Sequence, residues 1–292
     1  MAKKRRKAKV IGYYDTKAAG YVKQYQKGYQ YYPANLIRLN FIIERLKKNN
    51  VKTILDAGCG TCGPMIRLLK EGFDVKGFDF SKDMVKHGRR ELEKAGYNPE
   101  LVNCADLEKK SSLPNKKFDA ILALGVFPHI PDEKKALSNM GKLLKPKGSV
   151  FIEFRNDLFA AYTLNQYSLD FFLNRVIDLN PLPRDARREV INFYSKRLKA
   201  DKIIKREDGK IAHANILAKF RNPLTIRDEL FAPCGFSIVN LHFYHYHALP
   251  PVFENKYPEL FRKLSLKMEK PDDWKGYLMA SAYVVEARKK AE

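Results

Sequence analysis

Ile54-Leu-Asp-Ala-Gly-Cys-Gly-Thr-Cys-Gly63, followed closely by Gly72-Phe-Asp-Val-Lys-Gly-Phe-Asp79, decides how this chain folds. The apolar run Val51 to Leu55 reads as a buried parallel strand. It breaks into a glycine-rich turn, and Met65, Ile66, Leu68 and Leu69 then mark the apolar face of a helix. A second strand, Phe73 to Phe78, ends on the acid Asp79. Strand, glycine turn, helix, strand and acid make half of a doubly wound sheet. A ligand is expected at the carboxyl ends of its strands.

Two cofactors fit that pattern. Glycines let the backbone turn tightly and approach a ligand where a Cβ would intrude. A carboxylate at the end of the second strand accepts from both hydroxyls of a ribose diol. Gly58, Gly60 and Gly63 match G-x-G-x-x-G, with Asp79 at the spacing of a dinucleotide site. On spacing alone NAD is possible. Asp56 points elsewhere, because a carboxylate beside the turn would repel a pyrophosphate. S-adenosylmethionine has no phosphate, and its sulfonium and amino group are cations that Asp56 would attract.

At Leu55 to Thr61 the chain resembles the class I S-adenosylmethionine-dependent methyltransferases, whose first motif is close to Leu-Asp-x-Gly-Cys-Gly-Thr-Gly. Cys62 stands where that family has a third glycine, and would narrow the loop near the methionine part of the cofactor. Further likenesses follow. Val102-Asn-Cys-Ala-Asp106-Leu107 looks like the segment after the third strand, where an acid meets the adenine amino group. Phe118 to Gly125 looks like the fourth strand, and Phe127-Pro-His129-Ile-Pro-Asp132 like the element after it in small-molecule members. Leu143-Leu-Lys-Pro-Lys-Gly148 looks like the turn into a fifth strand, Ser149 to Phe154. The likeness covers residues 50–155 well and 224–245 more loosely. It implies an α/β fold: a Rossmann-like, doubly wound, mostly parallel seven-stranded sheet with a helical N-terminal cap and a helical lid insertion. It implies S-adenosyl-L-methionine as cofactor, contacted by Asp56, Gly58, Cys59, Gly60, Asp79, Phe80, Asp106, Leu107 and Gly125. Tyr14, Tyr21 and Arg38 of the cap are candidates for its carboxylate end, Arg38 by a charge-assisted pair.

Composition limits the remaining choices. With 292 residues, 45% of them hydrophobic, the chain can bury a sizeable core. No apolar run reaches the roughly 18 residues of a membrane span. The basic N-terminus lacks the apolar stretch of a signal peptide, so a cytoplasmic location is expected. Cys59-Gly-Thr-Cys62 matches C-x-x-C, yet no second Cys pair or spaced His pair completes a metal site. It reads as two small residues in a loop, and no metal is expected. The formal net charge is +22, with six cations within the first nine residues and a second basic concentration from Arg184 to Arg221. Such a field attracts polyanions: RNA, an anionic membrane surface or a phosphate-bearing substrate.

The chain divides into a basic arm (1–10), a tyrosine-rich helical cap (11–49), the core (50–155), a mostly helical lid (156–223) and a segment completing the sheet (224–292). Ser237 to Tyr246 and Tyr277 to Ala287 read as its last strands, an antiparallel pair by resemblance. Insertions at the carboxyl edge of such a sheet shape the acceptor pocket.

Methyl transfer is an in-line displacement, so the protein must chiefly align the nucleophile and exclude water. A hydroxyl acceptor needs a base, and His129, at the carboxyl edge of the fourth strand, is the candidate catalytic residue. Arg155, Asn156, Tyr162 and His245 are candidate substrate contacts, Arg155 for an acceptor carboxylate or phosphate. Alternation puts His245 and His247 on one face and His242 on the other, which argues against a three-His metal site. The expectation is a methyltransferase acting on a small-molecule acceptor, most simply at a hydroxyl. The segment Leu249 to Gly276 loosely resembles methyltransferases of surface-sugar biosynthesis, which suggests a sugar, nucleotide-sugar or lipid-linked glycan. Two alternatives stand beside it. An RNA methyltransferase would use the basic charge, though the Asn/Asp-Pro-Pro-aromatic motif of base-amine methylation is absent after the fourth strand. A non-enzymatic binding protein keeping only the fold would have no need of Asp56, Asp79 and Asp106.

Overall fold

The computed structural model describes residues 32–198, 219–254 and 256–290. The basic arm, Tyr14, Tyr21 and part of the basic insert lie outside the described residues.

Alternating strands and helices build one sheet. Its strands are β1 (Thr53–Ala57), β2 (Asp74–Asp79), β3 (Val102–Cys104), β4 (Phe118–Ala123), β5 (Leu144–Asn156), β6 (Phe220–Arg221), β7 (Phe236–Tyr246) and β8 (Ala280–Lys289). The spatial order is β3-β2-β1-β4-β5-β8-β7, and β6 pairs with β5 off this path. The first five strands run parallel, whereas β8 lies antiparallel between β5 and β7. The fold is therefore the expected α/β, mostly parallel sheet of Rossmann-like type.

Both faces of the sheet are covered, so the central strands read as nearly continuous apolar runs. Alternation sorts them. Leu55, Ala57, Ile121, Ala123 and Phe154 enter the core on one face, with Ala136, Leu137 and Met140 of the helix Glu133–Leu143. Ile54, Val75, Ala120, Leu122 and Phe151 enter the other, under Leu39, Ile42 and Leu46 of the helix Ala34–Lys48. Side-chain caps start helices on both sides of the sheet's carboxyl edge. Ser81 accepts from the Met84 amide at 3.1 Å, and Asp132 accepts from the Lys135 amide at 3.0 Å. The helix Ala34–Lys48 is also tied to the far edge of the sheet. Buried Glu286 of β8 takes Arg45 at 2.8 and 3.1 Å, Asn49 at 3.0 Å and His242 at 3.1 Å. Burial opposes ionisation of that carboxyl, but His242 and Arg45 outweigh it and hold its pKa at about 2.

Three boundaries differ from the sequence reading. β5 begins at Leu144 rather than Ser149, because Leu144 already pairs with Phe118 and the intervening turn forms a bulge, with Lys147 at φ +63°. The expected helix over 224–235 is a wide turn, Arg227–Phe231, and a tight one, Ala232–Cys234, closed by Gly235 at φ +76°. The insert also returns to the sheet. Past Ile152, β5 has lost β4 as a neighbour, and β6 takes the vacated edge through Arg155↔Phe220 and Asn156↔Arg221. β6 is fastened there from both sides. Lys219 donates to the carbonyls of Ile130 at 2.8 Å and Pro131 at 3.0 Å, and Arg221 ion-pairs with buried Glu133. The described remainder of the insert is helical: Phe159–Thr163, Gln166–Phe171 and the exposed Arg184–Leu198. Among the described residues, no helix is long and apolar enough to cross a membrane.

Candidate active site

The carboxyl ends of β1, β2, β4 and β5 converge on the glycine turn. Gly58 and Cys59 donate to the Phe78 carbonyl at 2.7 and 3.0 Å, which folds the turn back over β2. Gly58 lies at φ +82° and Gly60 at +54°. A Cβ at Gly60 would meet nothing within 4 Å, so the turn faces open space there. Asp79 is buried below it, accepting from the Gly60 amide at 3.0 Å and the Ser81 amide at 2.9 Å. The acid thus shapes the loop as well as facing the site. Gly58 is the constrained position, because a Cβ there would lie 2.3 Å from a Val126 methyl. Gly58→Ala is expected to lower the unfolding free energy by about 2–4 kcal/mol, from left-handed strain plus overlap. Urea denaturation at fixed pH measures it, and a loss below half a kcal/mol would contradict the geometry.

Cys62 corrects one expectation. It holds the left-handed conformation itself, at φ +63°, but its thiol is wholly buried and does not narrow the loop. The sulfur packs on Gly88, where a Cβ would come within 2.5 Å of it. Its Sγ lies 3.9 Å from that of Cys59, and both remain free thiols.

Asp56, next to last in β1, is 2% exposed, and its Oδ2 is buried without a hydrogen-bond partner among the described residues. Burial pushes its pKa up to about 7, with Arg38 opposing and Asp79 adding to the rise. Arg38 reaches the site from the helix Ala34–Lys48 and forms a buried ion pair with Glu153 of β5. Tyr244 of β7 stands 3.5 Å from the same guanidinium nitrogen. Burial would raise the Glu153 carboxyl, but Arg38, Arg155, the Tyr244 hydroxyl and the Gly125 amide outweigh it and keep it below the usual range. Gly125, past the end of β4 at φ +76°, therefore faces Glu153. Arg38 was read from the sequence as a ligand contact; here its first partner is Glu153. Glu153 and Tyr244 carry this arrangement, and only Glu153 gave a sequence signal, as an acid near the end of a strand.

The remaining expected residues are placed as follows. Asp106 and Leu107 follow β3, with Asp106 Oδ1 accepting from the Glu108 amide at 3.1 Å and Leu107 buried. Phe80 directly follows Asp79 and is partly buried. His129 is partly buried in the tight turn Phe127–His129 beyond β4. Tyr162 sits on the helix Phe159–Thr163, its ring 6.1 Å from that of Phe159. Arg155 and His245 reach one region at the ends of β5 and β7. Asn156 does not join them. It is fully buried, its amide donates to the carbonyls of Gly276 at 3.2 Å, Tyr277 at 2.9 Å and Ala280 at 2.8 Å, and its oxygen accepts from Leu158 at 3.1 Å. Its side chain is spent on holding the entry to β8, which corrects its assignment as a substrate contact.

The buried, unpartnered oxygen of Asp56, the open glycine turn and the carboxylate of Asp79 suit a ligand carrying a cation and a ribose. Known proteins agree with that chemistry. Residues 54–148 match a family described as a methyltransferase domain. Over 140 residues the chain is 28% identical to a ubiquinone biosynthesis O-methyltransferase of Coxiella burnetii, covering 48% of this chain and 58% of that protein. Over 128 residues it is 27% identical to the protein of the same name in Aliivibrio fischeri, covering 44% and 54%. The chain thus spans little more than half the length of these curated relatives. The fold matches magnesium protoporphyrin IX methyltransferase of Synechocystis PCC 6803, with a TM-score of 0.54 at 16% identity, over 97% of this chain and 99% of that one. It also matches an S-adenosylmethionine-dependent methyltransferase of Clostridium acetobutylicum, at 0.53 and 13%, over 88% and 92%.

Proposed function

We propose that the chain is a class I S-adenosylmethionine-dependent methyltransferase and that it methylates a hydroxyl of a small-molecule acceptor. The supporting observation is the set of acids at the strand ends, above all the buried Oδ2 of Asp56 that no described residue satisfies. When bound, S-adenosylmethionine supplies a methyl group already activated by positive sulfur. Asp79 would accept from the ribose hydroxyls, Asp56 would face the cationic end, and Asp106 and Leu107 would border the base. Arg38, held by Glu153, would offer its guanidinium N–H groups to the carboxylate end. His129 would take the acceptor's proton, and the aromatic side chains of Phe159 and Tyr162 would keep water away. The O-methyltransferase name shared by the curated relatives supports an oxygen acceptor. A sugar-bearing acceptor is one narrower form of this reading and an aromatic one another, and the two compete in the same test. Incubation with S-adenosylmethionine labelled at its methyl group, against panels of phenols, sugars and RNA, tests it. Label on a small hydroxyl compound, abolished in Asp79→Ala, is the expected result. Label on RNA alone, falling steeply with salt, would replace the reading with one built on the +22 charge.

Asp56 gives this proposal a pH signature. In the free protein its carboxyl titrates near 7, so it is mostly protonated at pH 6. A cation beside it favours the ionised form, so binding expels a proton. Affinity for S-adenosylmethionine is expected to rise nearly tenfold per pH unit below 7 and to level off above it. Calorimetry in buffers of differing ionisation enthalpy would count the proton released at pH 6. An unchanged slope in Asp56→Asn would refute the assignment.

A further inference from the structure

His247 is 5% exposed, and neither of its ring nitrogens has a hydrogen-bond partner among the described residues. Leaving both groups of a buried imidazole unsatisfied is costly, so such a residue asks for a ligand. Its surroundings are aromatic and come from three parts of the chain. The Phe159 ring of the insert lies at 4.8 Å, the His245 ring of β7 at 4.8 Å, and the Phe261 ring of the helix Pro258–Lys267 at 5.3 Å. His245 is otherwise engaged. Its Nδ1 meets the Ser281 hydroxyl at 2.8 Å, and its backbone at φ +59° swings the end of β7 towards this region. Glu269 is half engaged: its Oε1 takes the Tyr32 hydroxyl and the Tyr246 amide at 3.0 Å, while its Oε2 is buried without a hydrogen-bond partner among the described residues.

Arg155, at the end of β5, stands opposite Ala282 of β8, which in turn pairs with Tyr244 of β7 beside His245, and it lies within electrostatic reach of both imidazoles. Its guanidinium has no hydrogen bond or ion pair with any described residue, unlike Arg38, Arg45 and Arg221, which all hold carboxylates. Burial first, and Arg155 with it, pushes the pKa of His247 down to about 4, so the ring is neutral and presents one N–H. A guanidinium that hydrogen-bonds no carboxylate among the described residues, and a buried N–H without an acceptor among them, between aromatic side chains, are complementary to an oxyanion on a flat molecule.

We propose that Arg155 and His247 form an acceptor subsite that holds a planar, aromatic acceptor by a carboxylate or phosphate group, while the hydroxyl to be methylated points back towards the carboxyl ends of β1 and β4. This rests on the methyltransferase reading and narrows its acceptor to an aromatic hydroxy acid or phosphate. Phe159 and Phe261 flank the ring of the acceptor. His247 acts by binding; removal of the hydroxyl proton belongs elsewhere in the site.

Calorimetry on the full chain saturated with S-adenosylhomocysteine tests it, with 3,4-dihydroxybenzoate, catechol and catechol monophosphate as probes. The wild type is expected to bind the carboxylate or the phosphate probe at least tenfold more tightly than catechol. Which anion it prefers identifies the group. Arg155→Met should remove that preference, weakening the anionic probe by about 10- to 100-fold while leaving catechol within threefold. His247→Phe fits the aromatic surroundings and discards the unsatisfied nitrogens. It should melt no lower than the wild type and bind S-adenosylhomocysteine equally well, yet lose about tenfold in affinity for the anionic probe. His247→Gln serves as the second variant should His247→Phe fold poorly, and should retain part of the affinity through its amide. A wild type that binds no probe, or binds all three alike, overturns the subsite, as does a His247→Phe protein of unchanged probe affinity. Failure of the wild type to bind S-adenosylhomocysteine would instead overturn the methyltransferase reading beneath it.

Discussion

Asp79→Ala is expected to weaken S-adenosylhomocysteine binding by about 100-fold or more. The carboxylate has two duties that the substitution ends together. It accepts from the Gly60 and Ser81 amides at 3.0 and 2.9 Å, so it fixes the glycine turn against the end of β2. It is also the acceptor proposed for the ribose diol. Hydrogen bonds to a charged group contribute roughly 1.5–3 kcal/mol each. Losing the ribose contacts, and with them the order of the loop, therefore corresponds to at least two decades in affinity. Asp79→Asn keeps one oxygen acceptor and should fall between, near a tenfold loss. Calorimetric titration measures both, with circular dichroism to show that the sheet persists. NAD should bind neither protein. An Asp79→Ala variant that held S-adenosylhomocysteine within threefold of the wild type would place the nucleoside elsewhere.

How far this was visible before any coordinates depends on whether the interaction is local in sequence. The glycine turn, Asp56 and Asp79 lie within 24 residues of each other, and strand, turn and helix periodicity place them without tertiary information. The alternation of parallel strands and helices followed from the same periodicity, whereas the order of the strands in the sheet did not. The roles of Arg38 and Glu153 were not legible, because their pairing spans 115 residues and joins a helix to the far end of β5. Asn156 misled for the same reason. It is a polar residue at a strand end, where ligands bind, but its amide is claimed by carbonyls 120 to 124 residues later. His247 shared a face with His245 by alternation, yet nothing local distinguished a ring bonded to Ser281 from one bonded to nothing. Cys62 shows the reverse limit. Its position in the loop was correctly read, while the direction of its thiol depended on the absence of a side chain at Gly88.

Arg38→Met is expected to destabilise the ligand-free protein by about 3–5 kcal/mol, because it leaves a buried carboxylate without its cation. Glu153, Asp56 and Asp79 are all buried at the strand ends, and Arg38 lowers the proton affinity of both Glu153 and Asp56. The sign of the pH dependence follows. In the wild type the Glu153 carboxyl sits below its unfolded value, so its contribution is present above about pH 4.3 and is lost on acidification. Without Arg38 burial dominates, the folded-state value rises, and stability instead falls as pH increases through the carboxylate range. The gap between wild type and Arg38→Met should therefore be small near pH 4 and largest above pH 7. Arg38→Met/Glu153→Gln removes the stranded charge together with its partner and should recover at least half of the loss at pH 7. Urea denaturation across that range measures all three proteins. Strictly additive single substitutions, or a gap that does not grow with pH, would show that Arg38 acts through packing alone. The wild-type pairing also explains how three acids can converge at a site awaiting a cationic ligand: Arg38 neutralises Glu153, while Asp56, titrating near 7, keeps part of its proton until the ligand's own charge draws it off.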